Sequence, residues 1–340
     1  MKRKIKVAVL MGGKSSEHKI SLMSGREVVK NLDPKRYDVL PVIISSDGRS
    51  FQLNNRKYSF SQLSSIRQAQ DDPELTEGST INCQLFFIAM HGPYGEDGTI
   101  QGFLELVGVP YTGSGVLASA LGMDKISSKK LFTQAGLKVP SYLLFKKGNQ
   151  LKKVWQKFRL PIFVKPHNQG SSVGTTKVNK KNQLSKALTN AFNFSDLVLV
   201  EEFIDGTEIT CPILGNNKPQ ALPQIEIAPK TEYFDYQAKY NERLCDEIVP
   251  ARISKSLTKK AQEAALTAYR TLGCRGFGRV DMIAKDNNIY VLEVNTIPGL
   301  TPVSLFPKSA AYAGISYPKL LDKIINFALE KKLKTFSQKP

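Results

Sequence analysis

An α/β fold that opens on a doubly wound parallel sheet is what this sequence predicts, and three observations predict it. The apolar runs "IKVAVLM" (residues 5–11) and "YDVLPVIIS" (37–45) have the length and β-branched content of buried strands, with a helical stretch between them over 22–32. A third run, "CQLFFIAMHG" (83–92), ends like the first in a glycine-containing loop. Ligands of such sheets bind at the carboxyl ends of the strands, where "MGGKSSE" and "HGPYGEDG" fall.

The rest of the chain changes texture after about residue 119. A helix in "LGMDKISSKKLFTQAGLKVP" ends at Gly136, and the chain turns at Pro140. The strand "PIFVKP" then enters the loop "HNQGSSVG", followed by the strand "TTKV", a helix and the strand "LVLVEEFI". Further strands are "EITCPIL", "ALPQIEI", "GFGRVDMIA" and "NIYVLEVN", with helices over 255–272 and 317–332. Residues 51–80 carry no motif, and no role is assigned to them.

Length, charge and cysteine usage bound the class. The chain has 340 residues, enough for two or three domains, and its 41% hydrophobic and 23% charged content is that of an ordinary soluble protein. The basic start "MKRKIKVAVLMGGK" imitates an export signal, but its apolar part is shorter than the roughly 7–15 residues such a signal needs. No apolar run approaches the roughly 18 residues of a membrane span, so a cytoplasmic protein is expected. The net charge of +18 is spread over every segment without a nucleic-acid-binding signature, and a generally basic surface is the reading. Cys83, Cys211, Cys245 and Cys274 lack paired spacing, which argues against a zinc site or a disulfide framework.

The chemistry concentrates in a few places. "GRVDMIA" and "IYVLEVN" flank the polar turn "KDNN" and read as an antiparallel hairpin. Residues two apart share a strand face, so Arg279 joins Asp281, and Glu293 joins Asn295. Pairing the strands brings Asp281, Glu293 and Asn295 together as oxygen donors without His or Cys, a set that suits Mg²⁺ beside phosphates. A solvent-facing polar side of an edge hairpin is the plain alternative. "VKPHNQGSSVG" puts Lys165 ahead of Gly170, Ser171, Ser172 and Gly174, with Lys125 in "GMDK" upstream. Glycine backbone, hydroxyls and ammonium groups together make a phosphate cradle, although no Walker pattern is present. "VEEFIDGTEI" supplies Glu201, Phe203, Ile204 and Glu208, apolar groups beside carboxylates of the kind that make an adenine and ribose site, with a strand and turn carrying surface acids as the plain alternative.

Seven motifs in order, "GGKSSEHKISLMSG", "HGPYGEDGTIQGFLE", "GMDK", "VKPHNQGSSVG", "EYFDYQAKY", "GFGRVD" and "LEVNTIPGLTPVSLFP", span nearly the whole chain. Together they resemble the ATP-grasp superfamily and, more narrowly, the D-alanine–D-alanine ligase family. The resemblance implies a mixed α+β protein: a Rossmann-like substrate-binding domain over 1–119, then a two-lobed ATP-grasp domain. The small lobe with the phosphate loop would cover 120–210, and the large lobe with metal and second-substrate site 211–340. It implies two Mg²⁺ ions (or Mn²⁺) on Asp281, Glu293 and Asn295, and ATP held by Lys125, Lys165, Ser172, Glu201, Phe203, Ile204, Glu208 and Lys239. Glu17 and Ser171 resemble the pair that, with Tyr240, positions the first D-alanine and a mobile loop. His91 resembles the imidazole near that substrate. Arg279 and the Gly299 amide resemble oxyanion donors, and Ser304 and Leu305 resemble contacts to the second D-alanine.

The implied reaction, dipeptide formation through an acylphosphate for peptidoglycan precursors, explains these residue types. Phosphoryl transfer needs positioning and charge neutralisation, and a tetrahedral intermediate needs oxyanion donors. A closing loop over 232–246 would exclude water. A homodimer is implied by the resemblance alone. The sequence departs from the family at His18–Lys19–Ile20, where Arg-Glu-Val is common, and at Leu300, where Met is common. His18 reads as a tolerated neighbour and His167 as a solvent-facing loop residue. Ligases making D-alanyl-D-lactate or D-alanyl-D-serine remain alternatives, with Tyr240 arguing against lactate. A non-catalytic ATP-binding protein or a nucleic-acid binder is the reading of another class.

Overall fold

The computed structural model describes residues 3–53, 56–59, 83–230 and 244–335. β1 (Ile5–Gly12), α1 (His18–Asn31) and β2 (Tyr37–Ile44) form the expected parallel unit, with the helix starting at His18 rather than near residue 22. The apolar spacing misses that first turn because polar Glu17, His18 and Lys19 occupy it. β3 (Ser50–Leu53) and β4 (Arg56–Ser59) make an antiparallel hairpin on the edge of β2, so part of the motif-free stretch is sheet. β5 (Leu85–Ile88) pairs parallel to β1, giving the order β4-β3-β2-β1-β5. Val7, Ala8, Val9 and Leu10 are fully buried between layers, which is why β1 is apolar on both faces.

α2 (Thr99–Leu106), α3 (Val116–Met123) and α4 (Lys125–Gln134) follow. Asp124 caps α4, its carboxylate accepting from the Ser127 amide at 2.7 Å. A second, antiparallel sheet contains β6 (Tyr142–Phe145), β7 (Ile162–Pro166), β8 (Thr176–Val178) and β9 (Val198–Glu202) in the order β6-β9-β7-β8. α5 (Lys152–Lys157) and α6 (Leu184–Phe192) accompany it. Ile162, Val164, Val198 and Val200 pack on Leu184, Leu188 and Ala191 of α6, which leaves Lys165 and Glu201 on the opposite face.

The third sheet holds β10 (Thr207–Leu214), β11 (Gln220–Ala221), β12 (Ile225–Pro229), β13 (Cys245–Ile248), β14 (Phe277–Lys285) and β15 (Asn288–Asn295). α7 (Lys255–Thr271) covers one side through Ala261, Ala265, Ala268 and Tyr269, one helix face at three- and four-residue spacing. α8 (Leu305–Tyr312) and α9 (Tyr317–Thr335) end the described chain. α9 returns to the first sheet: Leu320, Leu321, Ile324 and Ile325 join the core around β1 and β5, and Tyr37 donates to Asp322 at 2.8 Å. The four cysteines are all free and buried, and burial pushes the Cys83 and Cys211 thiols up to about 12.

Candidate active site

The β14–β15 hairpin settles what its polar residues face. Along β14, Val280, Met282 and Ala284 are buried while Arg279, Asp281 and Ile283 alternate outward. In β15, Ile289 and Val291 are buried, yet so is Val294, out of phase with them. A bulge explains the change: Asp281 pairs with Glu293 but Met282 pairs with Val291, so Leu292 is the extra residue. Without it, Glu293 and Asn295 would share the core face of Ile289 and Val291. With it, Asp281 lies opposite Glu293 and Arg279 opposite Asn295, all four on one face.

Asp281 is saturated by its neighbours. Arg279 binds it bidentately, Nε to Oδ1 and Nη2 to Oδ2 at 2.8 Å each, Thr210 Oγ1 donates at 2.5 Å, and Asn295 Nδ2 donates at 2.9 Å. Burial pulls the Arg279 guanidinium down, but Asp281, Glu293 and Glu96 more than offset it and hold it charged. Among the described residues, no group of three or more His, Cys, Asp or Glu stands close enough to hold a metal. The set here is two carboxylates and one amide, hard oxygens without a soft ligand, which fits Mg²⁺ or Mn²⁺.

Lys125 ties this hairpin to the glycine-serine loop. Its ammonium lies 2.9 Å from Glu293 Oε2 and donates to the Gln169 carbonyl at 2.7 Å, while its backbone N–H donates to the His167 carbonyl. His167 is half-buried rather than solvent-facing, its Nδ1 2.7 Å from Ser195 Oγ and its Nε2 3.5 Å from Asp124 Oδ2. In the loop, Ser171 and Ser172 take φ of 46° and 58° and Gly174 takes 71°, a left-handed run that only glycine adopts freely. The Ser171 hydroxyl donates to Glu17 Oε1.

Glu17 stands at the N-terminus of α1, where the helix dipole favours an anion, and is buried. Two other loops close on it. A Cβ on Gly92 (φ 73°) would lie 2.5 Å from Glu17 Oε2, and one on Gly170 would lie 3.1 Å away. The imidazole of His18 donates to the Gly13 carbonyl at 2.8 Å and so braces the turn before Glu17. His91, also buried, faces the Ile297 carbonyl (3.1 Å) and Glu96 (3.4 Å) through Nδ1, so that nitrogen carries a proton. Its Nε2 lies 2.8 Å from Ser24 Oγ, which also receives the Leu300 amide at 3.5 Å. Burial works against charge on His91, but Glu96 and Glu17 hold its pKa above the ordinary imidazole value. Burial pushes the Glu96 carboxyl up, and Glu17 adds to that.

On the second sheet, Lys165 Nζ lies 2.5 Å and Lys129 Nζ 3.0 Å from the Glu201 carboxylate. Burial would raise Glu201, but the two lysines hold it below the usual carboxylate range. Phe203 sits 6.0 Å from Phe163, with Lys177 4.4 Å over its ring, and Ile204 is buried beside them in sequence. Glu208 is half-buried on β10, opposite Ile283. At the far end of β15, a Cβ on Gly299 would stand 2.9 Å from Ser304 Oγ, and Ser304 precedes α8 with its hydroxyl 2.7 Å from Thr301 Oγ1. Leu305 packs against Ile225, Ile227 and Cys245. Tyr240 and Lys239 lie outside the described residues, as does most of the 232–246 loop.

Three residues at the centre escape the motif reading. Lys129 follows Lys125 by four, the same helix face, and that spacing was the available signal. Glu96 lies inside "HGPYGEDG", and Ser24 lies seven residues after Glu17 on α1, one face two turns on.

A mixed α/β chain with a parallel-sheet unit, an antiparallel sheet carrying a lysine–serine–glycine loop, and an acidic hairpin between them has the architecture of an ATP-grasp ligase. Comparison with known proteins supports that class and narrows it. The family model described as D-ala D-ala ligase N-terminus matches residues 6–114, and that described as D-ala D-ala ligase C-terminus matches 131–326. A D-alanine–D-alanine ligase of Desulforudis audaxviator is 42% identical, covering 96% of this chain and 99% of its own. Among solved structures, the D-alanine–D-alanine ligase of Coxiella burnetii superposes with a TM-score of 0.83 at 30% identity, covering 98% of this chain and 96% of that one. The VanG D-Ala:D-Ser ligase of Enterococcus faecalis gives 0.82 at 35%, covering 96% and 100%. The Bacillus anthracis ligase complexed with ATP gives 0.77 at 34%, covering 97% and 99%. The chain belongs to the D-alanine–D-alanine ligase family.

Proposed function

We propose that this chain joins two D-alanines at the expense of ATP, giving D-alanyl-D-alanine, ADP and phosphate for peptidoglycan precursor synthesis. The observation that carries the reading is a closed circuit of contacts. Glu17 meets Ser171, the loop of Ser171 meets Lys125, Lys125 meets Glu293, and the segment after β15 meets His91, which lies one loop from Glu17. In this reading the phosphate-binding groups, the oxygen donors and the acidic corner at Glu17 adjoin one another.

In this reading, Glu17 and His91 receive the ammonium and carboxylate region of the first D-alanine. Lys125, Lys165 and Ser172 hold ATP phosphates, while Glu201, Phe203, Ile204 and Glu208 hold the nucleoside, with Lys239 contributing from outside the described residues. Asp281, Glu293 and Asn295 would hold two Mg²⁺ ions, or Mn²⁺, whose charge offsets that of the phosphates. Arg279 and the Gly299 amide then stand where a tetrahedral oxyanion develops, and Ser304 and Leu305 border the second D-alanine. Ser171 bridges Glu17 to the phosphate loop, and Tyr240 would extend that bridge to the closing loop. The segments 1–119, 120–210 and 211–340 divide the work into first substrate, phosphate and metal sites. A cytoplasmic homodimer completes the proposal. The likeness to a D-Ala:D-Ser ligase keeps D-serine as a second acceptor to be tried.

Phosphate release with ATP, Mg²⁺ and a panel of D- and L-amino acids tests the reading. D-alanine alone should support turnover. Release with L-alanine at the same rate, or with D-serine as the strongly preferred acceptor, would replace it.

A further inference from the structure

Lys125 and Lys129 share one face of α4 but not the same access. The side chains of Lys125 and Lys165 are 10% and 16% exposed, whereas that of Lys129 is not exposed at all. Lys129 Nζ lies 3.0 Å from Glu201 Oε1, and Lys165 Nζ lies 2.5 Å from Oε2 of the same buried carboxylate. Lys129 Nζ and Glu201 Oε1 are both sealed from solvent, so this ion pair lies wholly in the interior. A fully buried ammonium is costly, and an apolar side chain of similar volume is often as stable in such a place. Its charge therefore needs a reason.

Lys129 has no opening toward the cleft and cannot itself touch a ligand there. Lys165 has one, and turning its ammonium onto a phosphate draws it away from Glu201. A buried carboxylate left without a cation is strongly unfavourable. Lys125 offers the contrast: its partner Glu293 belongs to the proposed metal set, so a divalent ion takes over when that lysine turns away. For Glu201, the cation already in place is Lys129.

We propose that Lys129 is a positioning residue for nucleotide binding, a resident counter-ion of Glu201 that frees Lys165 to pass from that carboxylate to a nucleotide phosphate. The inference rests on the ATP reading of the cleft, and it concerns the phosphate end of the nucleotide: in Lys129→Met the Glu201 carboxylate keeps Lys165 as its cation, so its place beside the nucleoside is retained. Calorimetric titration of ATP and of adenosine into wild type and Lys129→Met separates this from a merely structural role. The ATP dissociation constant should rise about tenfold, near the low end for a lost bond to a charged group, while that of adenosine stays unchanged. No change for ATP, or an equal loss for both ligands, overturns the proposal.

Glu201→Gln, with and without Lys129→Met, keeps the test open where Lys129→Met alone folds poorly, because the double variant removes both buried charges and, without Glu201, burial favours the neutral amine of Lys129. The ratio of ATP to adenosine affinity should be the same in those two proteins. A weaker relative ATP affinity in the double variant shows that Lys129 acts by another route and overturns the proposal. Wild-type protein that binds no ATP would overturn the ATP reading and this inference with it. Wild-type binding without a Lys129 effect overturns the inference alone.

Discussion

Glu293 faces Lys125, sits opposite Asp281 and reaches the cleft only because Leu292 is bulged out. Glu293→Gln keeps the shape of the side chain and removes its charge. Turnover should fall by about 10² or more, the scale of losing one charged group at a phosphoryl-transfer centre, with the thermal transition unchanged. A near-normal rate with unaltered Mg²⁺ dependence would remove Glu293 from the metal set. Arg279 is held flat against Asp281 by two 2.8 Å bonds, a fork that lysine lacks. Arg279→Lys should lower kcat by about 10²–10³ with little change in ATP affinity. An intact kcat with weakened ATP binding would mean that Arg279 only neutralises the acidic face.

Loops rather than strands bring the site together, and the glycines in them are specific. Gly92 combines a left-handed φ with a Cβ position 2.5 Å from Glu17 Oε2 and 2.6 Å from Ser15 Oγ. Gly92→Ala should destabilise the protein by on the order of 1–3 kcal/mol and displace Glu17, seen as a raised KM for D-alanine. A variant with wild-type denaturation and KM would show that the loop is not packed on Glu17. The same scale shows what was legible in the sequence. Strand and helix assignments from apolar runs held for β1, β2, β7, β9, β14 and β15, since buried strands must be apolar and turns must be polar. The alternation rule paired Arg279 with Asp281 and Glu293 with Asn295, and both pairs stand on one face. The rule was silent on Leu292, because a bulge carries no compositional signature there and shows only as a phase change in burial between Val291 and Val294. The start of α1 and the β3–β4 hairpin were missed for separate reasons: the first turn of α1 is polar, whereas β3 buries Phe51 and Leu53 but is only four residues long, and β4 is mostly exposed and polar.

Two of the buried acids, Glu201 and Glu226, have cations beside them, and of those cations Lys129 is fully buried. Burial lowers the Lys129 pKa to about 8, while in the unfolded chain it keeps the ordinary lysine value. Between those values the unfolded state binds more protons than the folded one, so this residue makes stability rise with pH above about 8. Buried tyrosines and cysteines act in the opposite direction at higher pH, so the difference between wild type and Lys129→Met isolates the effect. Urea titrations at pH 7 and pH 9 should show the stability gap between the two proteins shifting toward wild type at the higher pH. A gap that does not move would mean that Lys129 is not strained by burial.

In the proposed reaction, the cleft activates a carboxylate by phosphoryl transfer before an amine attacks it. D-alanine labelled with oxygen-18 in its carboxylate, incubated with the protein, ATP and Mg²⁺, tests that directly. If the carboxylate attacks the γ-phosphorus and the amine then displaces phosphate, one labelled oxygen leaves in each phosphate released, in step with dipeptide formed. Phosphate that carries no label while dipeptide accumulates would contradict the acylphosphate and the site built around it.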